Sequence, residues 1–104
     1  MVELLTLSNS LEFKRITQQE LSLVAFGTFW SSPCRIQHEI LVNFMRKYSG
    51  ILTIARVDVQ RHQEIARKCN IQTVPTLIMY KKNGEIKRAV GLQSIETLYE
   101  FIQT

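Results

Sequence analysis

Trp30-Ser31-Ser32-Pro33-Cys34-Arg35 turns an apolar strand into a long helix. Before it, Leu21 to Phe29 is β-rich and almost uniformly apolar, the pattern of a central strand covered on both faces rather than one that alternates. The serines can accept a backbone N–H bond, and a proline in the first turn presets φ, so together they mark a helix N-terminus. Beyond it Ile36, Ile40, Phe44 and Tyr48 recur at i+4, and Leu41 and Met45 widen that apolar stripe. A strand-to-helix junction therefore displays residues 31 to 34.

Towards the N-terminus, Val2 to Leu7 reads as a short strand, and Ser8 or Ser10 caps a helix that turns Leu11, Phe13 and Ile16 inward. Towards the C-terminus, Ser49-Gly50 stops the long helix, Ile51 to Val59 forms a second β-branched strand, and a short helix follows from Arg61 to Cys69. Thr76 to Tyr80 and Glu85 to Val90 pair as a hairpin, with Asn83-Gly84 supplying the positive φ angles of a type I′ turn. Ser94 caps a last helix with Glu96 in its first turn and Ile95, Leu98, Phe101 and Ile102 inward. The order is βαβαβαββα. There is no repeat, low-complexity stretch or linker, so residues 1–104 read as one domain bounded by the chain ends.

The 104 residues carry 13 Lys+Arg against 9 Asp+Glu, a net charge of +4, with 45% hydrophobic and 21% charged residues. That balance excludes a disordered chain. The basic residues come as short pairs such as Arg46-Lys47 and Lys87-Arg88, with no run of like charge and no nucleic-acid motif, so they are solvated faces. The apolar run from Leu21 to Trp30 is about half the length a membrane helix needs, and the N-terminus lacks a basic leader. No membrane partner and an intracellular setting follow as expectations. Two cysteines, Cys34 and Cys69, are too few for a secreted disulfide scaffold. A metal site drawn from Cys34, Cys69, His38 and His62 lacks ligand spacing, so no metal or cofactor is expected.

The chain resembles the thioredoxin family at Trp30-Ser31-Ser32-Pro33-Cys34-Arg35, Thr73-Val74-Pro75-Thr76-Leu77, Lys82-Asn83-Gly84-Glu85 and Val90-Gly91. These motifs fall in the family's order across essentially the whole chain. The resemblance implies an α/β thioredoxin fold, a mixed central sheet of about five strands flanked by four helices, with a cis peptide before Pro75. It also implies a cytoplasmic thiol–disulfide oxidoreductase that reduces protein disulfides and is recycled by an NADPH-dependent reductase. A substrate groove would be formed by Trp30, Ser32, Pro33, Thr73, Val74, Pro75 and Gly91, with Thr73 and Val74 pairing with an extended segment as an added strand.

The departures from the family pattern are chemical. Thioredoxins carry Trp-Cys-x-x-Cys; here Ser31 holds the attacking position and Cys34 the resolving one. An alcohol is several pKa units weaker an acid than a thiol, and a helix N-terminus offsets only about 1.5 units, so Ser31 stays neutral and the dithiol cycle is closed. Ala25 stands where members usually hold a buried Asp for proton transfer, and Glu39 where they often have a kinking Pro, which predicts a straighter helix. Ser31 serves as a helix cap in any case. Cys34 reads either as a shielded, inert thiol or as one modulated by a His38 imidazolium one turn on and by Arg56. Cys69 reads as a small buried apolar residue. Three functions stay open: a Cys→Ser variant of an active reductase, a natural redox-inactive polypeptide-binding module, and a Cys34-based monothiol redox sensor.

Overall fold

The structure, a computed structural model, describes residues 4–48, 50 and 52–103. Its order matches the expected one: β1 (Leu5–Thr6), α1 (Ser10–Thr17), β2 (Ser22–Gly27), α2 (Ser32–Lys47), β3 (Thr53–Asp58), α3 (Gln63–Lys68), β4 (Thr76–Lys81), β5 (Gly84–Val90) and α4 (Ile95–Phe101). One five-stranded sheet is ordered β1-β3-β2-β4-β5. β1, β3 and β2 run parallel, while β4 and β5 are antiparallel to their neighbours. β2, in the centre, is buried except at Gly27, which explains its unbroken apolar run.

Alternation along the strands divides the core into two layers. Leu23, Ala25, Ile54, Leu77 and Met79 pack with Leu41 and Phe44 of α2 and Leu98 of α4. Val24, Phe26, Ala55, Val57 and Ile78 face the other way, with Phe13 of α1 and Ile65 of α3 against them. Phe44 stacks on Tyr48 and meets Tyr99 edge-on, while Phe13 meets Tyr80 edge-on in the opposite layer.

Several local expectations are corrected. Asn9, rather than either serine, caps α1: its side chain accepts from Glu12 N–H at 2.9 Å, while the Glu12 carboxylate accepts from the N–H of Ser8, the residue before the cap, at 2.7 Å. Leu11 is exposed, and buried Thr17 takes an inner position of that helix. β2 stops at Gly27, leaving Phe29 exposed. In the hairpin, Lys82 and Asn83 have φ of 48° and 80°, so they are the central pair of the turn and Gly84 closes it opposite Lys81. The β3 expectation began at Ile51 and the β1 expectation at Val2, both outside the described residues.

α2 runs without a break through Glu39 and ends with Tyr48 N–H donating to Phe44 C=O at 2.8 Å. Its buried residues are Cys34, Gln37, Leu41 and Phe44, and Ile36 is exposed. Each i+4 step overshoots a full turn by about 40°, so Ile36, two steps before Phe44, has rotated off the buried face. Gln37 takes that face instead, 1% exposed. Its Nε2 donates to Gln93 C=O at 3.1 Å, and its Oε1 accepts from Gln93 N–H at 2.7 Å. This clamp joins α2 to the segment between β5 and α4. Replacing Gln37 by Leu, similar in volume, removes both partners of the half-buried Gln93 backbone and is expected to lower stability by about 1–3 kcal/mol in urea unfolding. A loss below about 0.5 kcal/mol would show that the clamp contributes nothing.

Candidate functional site

The junction between β2 and α2 is built from short side chains. Ser31, in extended conformation, caps α2, its hydroxyl accepting from Cys34 N–H at 3.5 Å. Arg35 reaches back over the turn, donating to Phe29 C=O at 3.2 Å, Trp30 C=O at 2.9 Å and Ser32 Oγ at 3.2 Å. Trp30 is 62% exposed, with its indole N–H donating to Gln60 Oε1 at 2.8 Å in the loop after β3. That loop is turned by Asp58, whose Oδ1 accepts from Gln60 N–H at 2.9 Å.

Cys34 lies beneath the cap, buried, and Thr28 N–H donates to its Sγ at 3.5 Å. It packs on Gly27 so closely that a Cβ added there would lie 2.9 Å from Sγ and 3.3 Å from the Cys34 Cβ. Cys69 is unpaired and remote from this junction, packed against the second core layer with Sγ 3.4 Å from the Tyr80 hydroxyl. Burial pushes its thiol pKa up.

The Val74–Pro75 peptide is cis. Gly91, with φ of 93°, donates its N–H to Pro75 C=O at 2.8 Å; the positive φ requires glycine there, since no neighbour crowds the Cβ position. Thr76 Oγ1 donates to Thr73 C=O at 2.7 Å, closing the same loop. Among the described residues neither the N–H nor the C=O of Val74 has a hydrogen-bond partner. Val90 and Leu92 flank Gly91 and are exposed.

The predicted site residues divide between two places. Cys34, Pro75, His38 and Arg56 line a cavity of about 960 Å³. Trp30, Thr73 and Val74 lie outside its lining. His38 Nδ1 is 3.1 Å from Arg56 Nη1, and Arg56 Nε donates to Thr6 Oγ1 at 2.9 Å. Because guanidinium has no acceptor, His38 Nδ1 must accept and the ring is neutral. Burial, then the Arg56 charge, holds the His38 pKa below its ordinary value. His38 is thus engaged with Arg56 rather than presented to Cys34 as an imidazolium. Residues that pattern reading passed over include Gly27, Thr28, Gln37 and Gln60. Only Gly27, at the end of an apolar strand, carried a signal of close backbone approach.

The Thioredoxin family model matches residues 4–104. A thioredoxin of Staphylococcus saprophyticus is 31% identical over 86 residues, 83% of each chain. A Staphylococcus aureus thioredoxin is 29% identical over 91 residues, 88% of each. Among solved structures, a single-substitution mutant thioredoxin of Halobacterium salinarum superposes with a TM-score of 0.89 at 24% identity, covering 97% of this chain and 88% of that one. Oxidized mitochondrial thioredoxin 3 of Saccharomyces cerevisiae gives 0.85 at 24%, covering 96% and 93%. These last two likenesses concern the fold.

Gly27→Ala is expected to destabilise the chain by about 1–3 kcal/mol, because the neighbouring sulfur is short and rigidly held. Adding Cys34→Ala should recover part of that loss, since only the 3.3 Å contact with Cβ then remains. Additive losses in urea unfolding would show that the two residues do not compete for one space. For His38 the unfolded chain binds the extra proton first, so stability falls as pH drops below the ordinary value of 6.5. Melting temperature measured from about pH 7.5 to 5.5 should fall less steeply in His38→Gln; parallel curves would remove His38 as the cause.

Proposed function

The chain belongs to the thioredoxin family, whose members act on protein substrates by thiol–disulfide exchange, and we propose that this member binds extended polypeptide without redox turnover. In exchange, a thiolate attacks one sulfur of a disulfide, the other sulfur leaves as thiolate, and a second protein thiol displaces the mixed disulfide. The observation that carries the proposal is at Ser31, where an alcohol fills the attacking position and is engaged as the cap of α2. No sulfur is available there for the first bond, and Cys34 is buried beneath it.

The recognition half of the site is supported separately. Val74 offers an unpaired N–H and C=O beside Pro75, the requirement for adding one strand to the edge of the loop, with the apolar surface of Trp30, Val90 and Leu92 exposed. On this reading the partners are extended segments of proteins, an NADPH-dependent reductase has no disulfide here to recycle, and the setting is the cytoplasm. The groove comprises Trp30, Ser32, Pro33, Thr73, Val74, Pro75 and Gly91 in a single domain.

The unmodified chain is expected to reduce a protein disulfide at least about a hundredfold more slowly than its Ser31→Cys variant, in which a thiol at the helix N-terminus faces Cys34. Equal rates would overturn the proposal. A reduced, alkylated, unfolded protein added to the unmodified chain should shift the amide resonances of Val74 and Gly91. Failure to shift them at millimolar concentration would remove the binding role.

A further inference from the structure

The register of the sheet places a charge that is in no ion pair among the described residues. Arg56 on β3 lies opposite Thr6 of β1 on one side and Ala25 of β2 on the other. It follows Ile54 by two residues, so it projects from the same face as Ile54 and Ala25, which pack in the core layer under α2. The side chain is half-buried there. Its Nε is engaged by Thr6 and its Nη1 by a His38 held neutral. The ion pairs of the described residues are His62–Glu64, Lys82–Glu20 and Arg88–Glu85, and Arg56 is in none of them. Across the β2 register stands only the methyl group of Ala25.

Arg56 and Ala25 both line the cavity of about 960 Å³, a size suited to a small organic ligand. Leu4, Leu7, Ala25 and Leu41 supply apolar wall. Three arginines, Arg35, Arg56 and Arg61, line it against two carboxylates, Asp58 and Glu39. Asp58 turns one oxygen to the backbone N–H groups of Gln60 and Arg61, and Arg35 is engaged with the turn at Phe29 and Trp30. Arg56 is the arginine set among the core-layer side chains, with donors to spare. A guanidinium fork pairs with a carboxylate through two parallel hydrogen bonds, and a half-buried one gains most from such a partner.

We propose that this cavity binds a small organic carboxylate with an apolar body, its carboxylate over Ala25 and paired with Arg56, its body against Leu4 and Leu41 of the same core layer. The site meets the polypeptide groove at Pro75, but Trp30, Thr73 and Val74 do not line it, so its carboxylate-binding residues are not those of the polypeptide-binding reading.

Hexanoate, hexanamide and acetate serve as probes, titrated into the unmodified chain and followed by NMR. Hexanoate should shift Thr6, Ala25 and the Arg56 side-chain resonances saturably and bind at least about tenfold more tightly than hexanamide, which lacks the charge, or acetate, which lacks the body. Ala25→Asp should weaken hexanoate at least about tenfold by placing an internal carboxylate opposite Arg56, with the fold checked by its amide spectrum; Arg56→Gln gives the same readout if that variant does not fold. Equal affinity for acid and amide, shifts centred elsewhere, no saturable shift, or undiminished binding in a folded variant would each overturn the proposal. Amide shifts at Val74 on adding unfolded polypeptide test the other reading independently.

Discussion

The first turn of α2 rests on the bare Cα of Gly27, and everything at the functional face depends on that contact. With no side chain at Gly27, the Cys34 sulfur approaches the strand closely enough to receive Thr28 N–H. That seating holds the helix N-terminus at the end of β2, so Ser31 falls at the cap and Arg35 reaches back over the turn. A larger residue at Gly27 would lift the helix from the sheet and move every group displayed at the junction. Farther along α2, Gln37 performs the complementary task by gripping Gln93, which keeps the Gly91 loop beside Pro75. Two contacts made by one helix thus position both halves of the polypeptide face.

What the site can do follows from which atoms it has kept. The surface features suited to an extended chain are present: an exposed indole, a cis Val74–Pro75 peptide and an unpaired backbone at Val74. The atom required for exchange is a sulfur, and oxygen stands in its place at residue 31. A serine loses nothing as a cap, because capping needs only an acceptor lone pair. The same substitution is therefore tolerated by the fold and decisive for the chemistry. Under the helix, Ala25 and Arg56 show the same separation between fold and function: a methyl group fits the core layer, yet the neighbouring guanidinium is in no ion pair among the described residues.

Element types and order were legible because they rest on local signals. The apolar run of β2, the serine–proline start of α2, the Asn-Gly turn and the Ser94 cap each declare themselves within a few residues, and the motifs were specific enough to indicate the thioredoxin fold. Misplacements arose where competing local signals differed by one residue. Asn9 took the cap from its two serine neighbours at a register where Glu12 N–H donates to it and the Glu12 carboxylate also accepts from Ser8 N–H, and the hairpin turn centred on Lys82-Asn83 because the strand pairing closes at Lys81 and Gly84. Ile36 left the expected buried face and Gln37 took it because a row of i+4 residues drifts around the helix, and this buried amide is satisfied by a backbone segment distant in sequence.

The sequence by itself determined the family, the order of elements and the absence of a second active-site thiol, since these depend on residue identity and short spacings. Tertiary structure alone decided that His38 turns to Arg56, that Gln37 holds Gln93 from 56 residues away, and that Arg56 and Ala25 share a cavity wall. Those facts depend on strand register and helix rotation. Both are set by how the whole core packs, and no stretch of neighbouring residues contains that information.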